Sequence, residues 1–287
     1  MAFKSVRNIA IAGAVAAASL TGIAIAAGGS GPADGYEMVH KHWHFSGLTG
    51  GYDQEAMQRG YQVYAQVCRS CHNLDHLAFR HLGDPGAPFY DPEYENPNDN
   101  PIVKGIAAEY EITDINPEDG SDITRPGIPA DMFPRIYRND SEARFVNNGA
   151  LPPDLSLMVK ARTGGADYLY NLLLAYDHPQ PEDIVLSPGQ YYNPVMEGSK
   201  IAMPPQLQPQ AGVFEYQSET EGQNPPEATV EQMAADLTEF LAWSADPKLE
   251  ERKAAGLMSL VYLLILAVLL WLSYKRIWRR LKQPVGG

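Results

Sequence analysis

Along this chain, apolar residues recur at helical spacing in several short stretches and run without interruption once. Met57, Tyr61, Tyr64 and Cys68 share one side of residues 53–67, with Asp53 placed to accept hydrogen bonds from the first turn. Shorter helical patterns cover residues 102–110, 141–146, 154–161 and 166–176. Val230, Met233, Ala234, Leu237, Phe240 and Leu241 form one stripe, opened by Thr229 with Gln232 in capping-box spacing and ending near Trp243. Between them, residues 83–100, 116–134 and 178–209 are rich in Pro, Gly, Asp and Asn and predict loops. There is no internal repeat and no strong run of alternating positions. The pattern predicts a mainly α fold with long irregular connections.

The two ends differ from this middle. Residues 1–26 read as a secretory signal: Lys4 and Arg7 open it, small apolar residues follow, and Ala24-Ile25-Ala26 fits the small-x-small cleavage rule. Residues 256–274 carry no charge over 19 positions. At 1.5 Å per residue that run crosses a hydrocarbon core of about 30 Å. Trp271, Tyr274 and Trp278 supply interfacial aromatics, and Lys275, Arg276, Arg279, Arg280 and Lys282 follow without an acid. The positive-inside rule places that end in the cytoplasm. The expected organisation is a signal (1–26), an exported domain (27–246), an anchor helix (247–280, with Pro247 near its start) and a short tail (281–287).

Charge sharpens this division. The 287 residues hold 22 Lys and Arg against 35 Asp and Glu. Setting aside the seven cations of the signal and tail leaves 15 basic residues against 35 acidic ones in the part exported ahead of the apolar run, residues 27–255, a balance of −20. Such a field excludes a nucleic-acid binder and attracts cations, including basic proteins. Glu109, Glu111, Asp114, Glu118 and Asp119 form one dense acidic cluster, and Glu215, Glu219 and Glu221 another.

Two cysteines are too few for a disulfide scaffold or a four-cysteine metal site. His40, His42 and His44 alternate, which on a strand would put them on one face, but an edge segment is the ordinary reading. Both cysteines fall in Cys68-Arg69-Ser70-Cys71-His72, the C-x-x-C-H attachment signature of c-type haem. Two thiols three positions apart on a helical turn can each add to a haem vinyl group, and the following imidazole then faces the iron. A redox dithiol is the rival, but it expects the motif after a β-strand within a βαβ unit, and here a helical pattern precedes it.

A methionine thioether in the remaining axial position suits electron transfer. Met57 lies on the helix leading into the motif, too near to wrap to the far face; Met158 and Met233 sit in core patterns, Met38 near the loose N-terminal lead and Met258 in the apolar run. Met132, Met196 and Met203 lie in loops. Met203 is followed by Pro204-Pro205, which stiffens the chain and removes two backbone donors, as a ligand strap requires.

These residues resemble the cytochrome c1 family, the haem c subunit of the cytochrome bc1 complex. The resemblance is carried by Arg59-Gly60 with Val63-Tyr64, the Cys68–His72 motif, Arg80-His81-Leu82, and Arg125-Pro126-Gly127. Further matches are the stretch from Asn147 through Pro152-Pro153 to Ser156, Arg162 with Gly164-Gly165 and Asp167-Tyr168, Tyr192-Asn193-Pro194, and Met203-Pro204-Pro205. It implies a cytochrome c-like helical haem domain with one C-terminal transmembrane helix. One covalent haem c is implied, attached through Cys68 and Cys71, with His72 as proximal and Met203 as distal iron ligand. Arg162 would pair with a haem propionate, Tyr168 would hydrogen-bond near it, and Asn147, Pro152 and Pro153 would line the pocket. The resemblance also implies an electron carrier within ubiquinol:cytochrome c oxidoreductase. It would sit in a bacterial inner membrane with its haem domain in the periplasm, taking one electron from a Rieske iron–sulfur protein and passing it to a periplasmic cytochrome c. The partners would be cytochrome b, those two proteins and the membrane, in a dimeric complex. The family's bacterial members that carry an extra loop cysteine pair differ from this chain, which has none. The alternatives are a membrane-anchored cytochrome c serving an oxidase directly, and the dithiol oxidoreductase.

Overall fold

The computed structural model describes residues 35–207, 216 and 225–281. The signal, the Glu215–Glu219–Glu221 cluster and Lys282 lie outside the described residues.

Helix α1 (Gln54–Gln66) starts where its sequence indicates: the Asp53 carboxylate accepts the Glu55 and Ala56 amides. Its buried face is Ala56, Met57, Gly60, Tyr61, Val63 and Tyr64, the three-to-four spacing of one helical side. After α2 (Pro101–Ala108) come strands β1 (Glu111–Ile115) and β2 (Asp122–Pro126), then the short helices α3 (Asp140–Val146) and α4 (Met158–Ala161) and the longer α5 (Gly165–Leu174). Two-residue strands β3 (Tyr191–Tyr192) and β4 (Lys200–Ile201) precede α6 (Val230–Ala245) and α7 (Leu249–Leu281).

α6 is the hub, packing against α1, α4 and α5. It is buried on nearly every side from Asp236 to Ala245, so its apolar stripe understates its burial: Asp236, Thr238, Glu239 and Ser244 lie inside as well. The Phe240 ring meets Tyr61, Tyr64 and Trp243 at centroid distances of 5.7, 5.9 and 5.8 Å. α1 approaches α6 at Gly60, where a Cβ would run into the Asp236 carbonyl. Beside this contact the Arg59 fork grips the buried Asp236 carboxylate, Nε to Oδ2 at 2.9 Å and NH2 to Oδ1 at 3.0 Å. Two parallel charge-assisted bonds fix the register of the helix pair.

Several local expectations shift. The capping box at α6 is half formed: Thr229 accepts the Gln232 amide at 3.1 Å, but the Gln232 side chain turns to the Asp236 carboxylate at 3.0 Å. The Thr229 amide donates instead to the Glu227 carbonyl at 2.8 Å, so the acceptor that the box would supply has no role. The helix read over residues 154–161 is only α4, because the Asp154 side chain takes the Asp75 and Ser156 amides and holds a turn instead. The loop read over residues 116–134 contains β2, paired antiparallel with β1 in the register Thr113↔Thr124. Arg125 pins that ribbon through Asp114 (2.7 Å) and Asp131 (2.6 Å). The histidine segment is not a strand. His40 pairs with Asp167 at 2.9 Å, His44 lies 3.8 Å from Glu239, and His42 is exposed. No group of three potential metal-ligating His, Cys, Asp or Glu side chains occurs among the described residues.

α7 is 33 residues long, about 50 Å at 1.5 Å per residue. It is long and apolar enough to cross a membrane, and none of its apolar run is buried within the protein. It begins two residues after Pro247, which sits in the preceding turn.

Candidate functional site

α1 ends at Val67 and tightens at once into a 3-10 turn, Cys68–Ser70. The Cys71 and His72 amides both donate to the Cys68 carbonyl, at 3.1 and 3.0 Å. One turn therefore carries both thiols and the imidazole. The two cysteines are unbonded to each other. Burial, with the neighbouring Cys71, pushes the Cys68 thiol up to about 12. A redox dithiol needs the opposite, a cysteine whose pKa is depressed so that thiolate is present.

The imidazole is aimed from outside the motif. His72 donates from Nδ1 to the Pro153 carbonyl at 2.8 Å. A carbonyl only accepts, so Nδ1 carries the proton and Nε2 keeps a free lone pair, the arrangement typical of a metal-ligating histidine. Burial also lowers the His72 pKa, favouring the neutral ring. The Pro153 segment is tied to the motif on both sides: the Leu155 amide donates to the Asn73 carbonyl at 2.9 Å and the Asp75 amide to the Asp154 carboxylate at 2.7 Å. The Tyr64 hydroxyl donates to the His72 carbonyl at 3.1 Å and anchors the motif to the core. These features fit haem c: two free thiols and one correctly oriented neutral imidazole on a single braced turn.

The other expected residues fall into two groups. Asn147 closes α3, and its amide donates to the Tyr137 hydroxyl (3.0 Å) and the Ala143 carbonyl (2.7 Å). Burial raises the pKa of that hydroxyl, and the adjoining Cys71 thiol adds to the rise. Asn147 thus reaches the motif through Tyr137, a residue its sequence context did not single out. Pro152 is half-buried and Pro153 exposed at its ring while its carbonyl works.

The second group gathers on α5. The buried Asn193 amide donates to the Leu172 carbonyl (2.8 Å), and the Tyr176 hydroxyl donates to the Met203 carbonyl (3.0 Å). These bonds fold the long loop back and fix the backbone at Met203, which is half-buried. The Tyr168 hydroxyl meets Met196 Sδ at 3.6 Å. Arg162 is exposed, its guanidinium donating only to the Ala161 carbonyl at 3.2 Å among its described hydrogen bonds. The Tyr176 and Asn193 braces are long-range pairings that no spacing announces.

A family model, the Cytochrome C1 family, matches residues 43–281. "Cytochrome c1 1, heme protein, mitochondrial" of Arabidopsis thaliana is 40% identical over 250 residues, 87% of this chain and 75% of that protein. "Cytochrome c1" of Rhodospirillum rubrum is 36% identical over 280 residues, 91% of this chain and 96% of its own. "Cytochrome b/c1" of Bradyrhizobium diazoefficiens is 36% identical over 255 residues, covering 82% of this chain and 35% of that longer one. With a family match over nearly the whole chain after residue 42, beside a braced C-x-x-C-H turn, this protein belongs to the cytochrome c1 family, and its cofactor is haem c.

Proposed function

We propose that this chain is the electron-transfer subunit of a cytochrome bc1 complex, accepting one electron from a Rieske iron–sulfur protein and passing it to a periplasmic cytochrome c. The observation that carries the reading is the Nδ1 bond from His72 to Pro153 on a turn that already holds two free thiols. The bound haem supplies reversible one-electron chemistry; the chain supplies ligands, burial and docking.

Cys68 and Cys71 would hold the group covalently and His72 would ligate the iron through Nε2. Met203 is the distal ligand in this reading, on a backbone fixed by Tyr176. Arg162, exposed, would pair its fork with a propionate, Tyr168 on the following helix would hydrogen-bond near it, and Asn147, Pro152 and Pro153 would line the pocket. Residues 1–26 serve as the export signal, and α7 is the anchor, with residues 27–246 on the periplasmic side of a bacterial inner membrane and the basic end inside. Cytochrome b is the expected neighbour in a dimeric complex, a pairing favoured by the relative named for both cytochromes.

The test is isolation of the tagged chain from its own membranes. Co-purification of a b-type haem protein with quinol-driven reduction of the chain is expected. Recovery alone, still reducing an oxidase, would favour the direct shuttle.

A further inference from the structure

The N-terminal segment descends along the anchor in ordered steps. The Tyr52 hydroxyl donates to the Ala242 and Asp246 carbonyls, before α7 begins. The Tyr52 amide donates to Glu250 Oε1 at 2.8 Å, in the first turn of α7. Two residues earlier in the chain, the Gly50 carbonyl accepts from Lys253 Nζ at 2.9 Å, and the Phe45 carbonyl accepts from the same ammonium. From Glu250 to Lys253 is an advance of about 4.5 Å along the helix, and a further ~4.5 Å reaches Gly256, where the uncharged run starts.

Between the two carbonyls clamped by Lys253 lies the turn 46–49, with Leu48 80% exposed at its tip. Gly47 there has φ of 76°, the left-handed conformation that lets the chain reverse. The turn is braced from behind: Phe45 stacks on Trp43 at 5.8 Å and meets Tyr52 at 5.3 Å, and the Trp43 indole donates to Asp167 at 2.7 Å. A lone exposed leucine is ordinary on a soluble surface. This one is held rigidly next to the point where the helix turns apolar, by a lysine whose charged end is fully engaged with backbone on that side.

We propose that the 46–49 turn is a second membrane contact, with Leu48 entering the lipid interface beside the anchor. The proposal rests on α7 being the membrane anchor. The occupant it fits is the headgroup–acyl boundary of a bilayer: the turn offers one aliphatic side chain and small neighbours, Ser46, Gly47 and Thr49, with no charge of its own. Two contacts instead of one would fix the tilt and rotation of the haem domain over the membrane, where a single helix leaves rotation about its axis open.

The experiment uses the full haem-loaded complex in phosphatidylcholine vesicles. Cys68 and Cys71 are consumed by haem, so Leu48→Cys introduces a single reactive thiol in this chain for an environment-sensitive fluorophore. Glu118→Cys, at the exposed β1–β2 turn, and Leu264→Cys, within α7, serve as references, after blocking or replacing reactive thiols on other subunits. Lipid carrying a quencher near its headgroup should quench the label at 48 several-fold more than at 118, while aqueous iodide does the reverse. A label at 48 that behaves like 118 overturns the proposal. So does a label at 48 shielded from both quenchers, since another subunit then covers the turn. A second lipid quencher, placed in mid-acyl chain, should reach the label at 264, and its failure there would instead overturn the anchor reading itself.

Discussion

His72 is oriented by a residue 81 positions away: its Nδ1 donates to the backbone carbonyl of Pro153 at 2.8 Å. Because the acceptor is backbone, what matters at 153 is the path of the chain. That path is held by the Asp154 carboxylate and by the Leu155–Asn73 backbone bond.

Attachment should be all or nothing at the motif. Cys68→Ala combined with Cys71→Ala is expected to abolish haem staining on a denaturing gel. Staining that persists in the double variant would mean that the turn is not the attachment point.

Met203→Leu should lower the midpoint potential and open the iron to carbon monoxide, because a thioether stabilises the ferrous state. Redox titration and the carbon monoxide difference spectrum read both effects. If neither moves, Met196 becomes the next residue to replace, since its sulfur already sits within the α5 group at 3.6 Å from the Tyr168 hydroxyl.

A chain ending after Lys253 should be soluble and keep its haem, because every proposed ligand precedes the anchor and the Glu250 and Lys253 clamps remain. Ending after Asp246 removes both clamps. Charge-assisted bonds of this kind contribute about 1.5–3 kcal/mol each when buried and less when solvent reaches them, so the shorter chain should unfold at lower denaturant. Equal unfolding midpoints would show that the clamps add nothing.

Glu239 gives a pH signature. It is 2% exposed, accepts the Asp53 amide at 3.1 Å, and lies near the Asp53 and Asp236 carboxylates, with His44 at 3.8 Å and Lys41 as the attracting charge. Burial, reinforced by the two carboxylates, pushes its carboxyl up to about 7. Between pH ~4.5 and ~7 the folded state therefore holds a proton that the unfolded state has lost, and stability falls as pH rises through this window. Asp114, Asp131 and Asp167 act oppositely: partners hold their pKa values down, so their contribution is lost only as pH falls below the ordinary carboxylate range. Glu239→Gln keeps an acceptor for the Asp53 amide and should flatten the decline from pH 5 to 7, a difference on the order of 1–3 kcal/mol in urea unfolding. Parallel curves for the two proteins would remove Glu239 from the account.

Electron transfer to a basic acceptor should slow steeply as salt rises, since the −20 balance of the exported part acts over about 8 Å at physiological ionic strength. Glu109, Glu111, Asp114, Glu118 and Asp119 are gathered on and around the β1–β2 ribbon, where Asp114 is spent on Arg125 and the rest face solvent. Charge reversal at Glu118 and Asp119 reduces the salt slope if this ribbon docks the acceptor. A rate with the native acceptor that stays flat across salt would rule out steering.

The sequence by itself determined whatever depends on neighbours within a few residues. α1, α6 and α7 are legible because a stripe or an unbroken apolar run repeats over many turns, and the Asp53 and Thr229 caps act on the next turn of their own helices. The C-x-x-C-H chemistry is legible for the same reason: all its atoms sit on one turn. Tertiary structure decided the rest. The proton on His72 is placed by a carbonyl 81 residues on, Met203 is steadied by Tyr176, and Gln232 abandons its cap for a carboxylate whose partner, Arg59, comes from another helix. The β1–β2 ribbon forms where Pro, Gly and Asp argue for loop, because Arg125 joins Asp114 and Asp131 across it. Such pairings cost chain entropy to close and are repaid only when the core brings both partners together, so no local pattern encodes them.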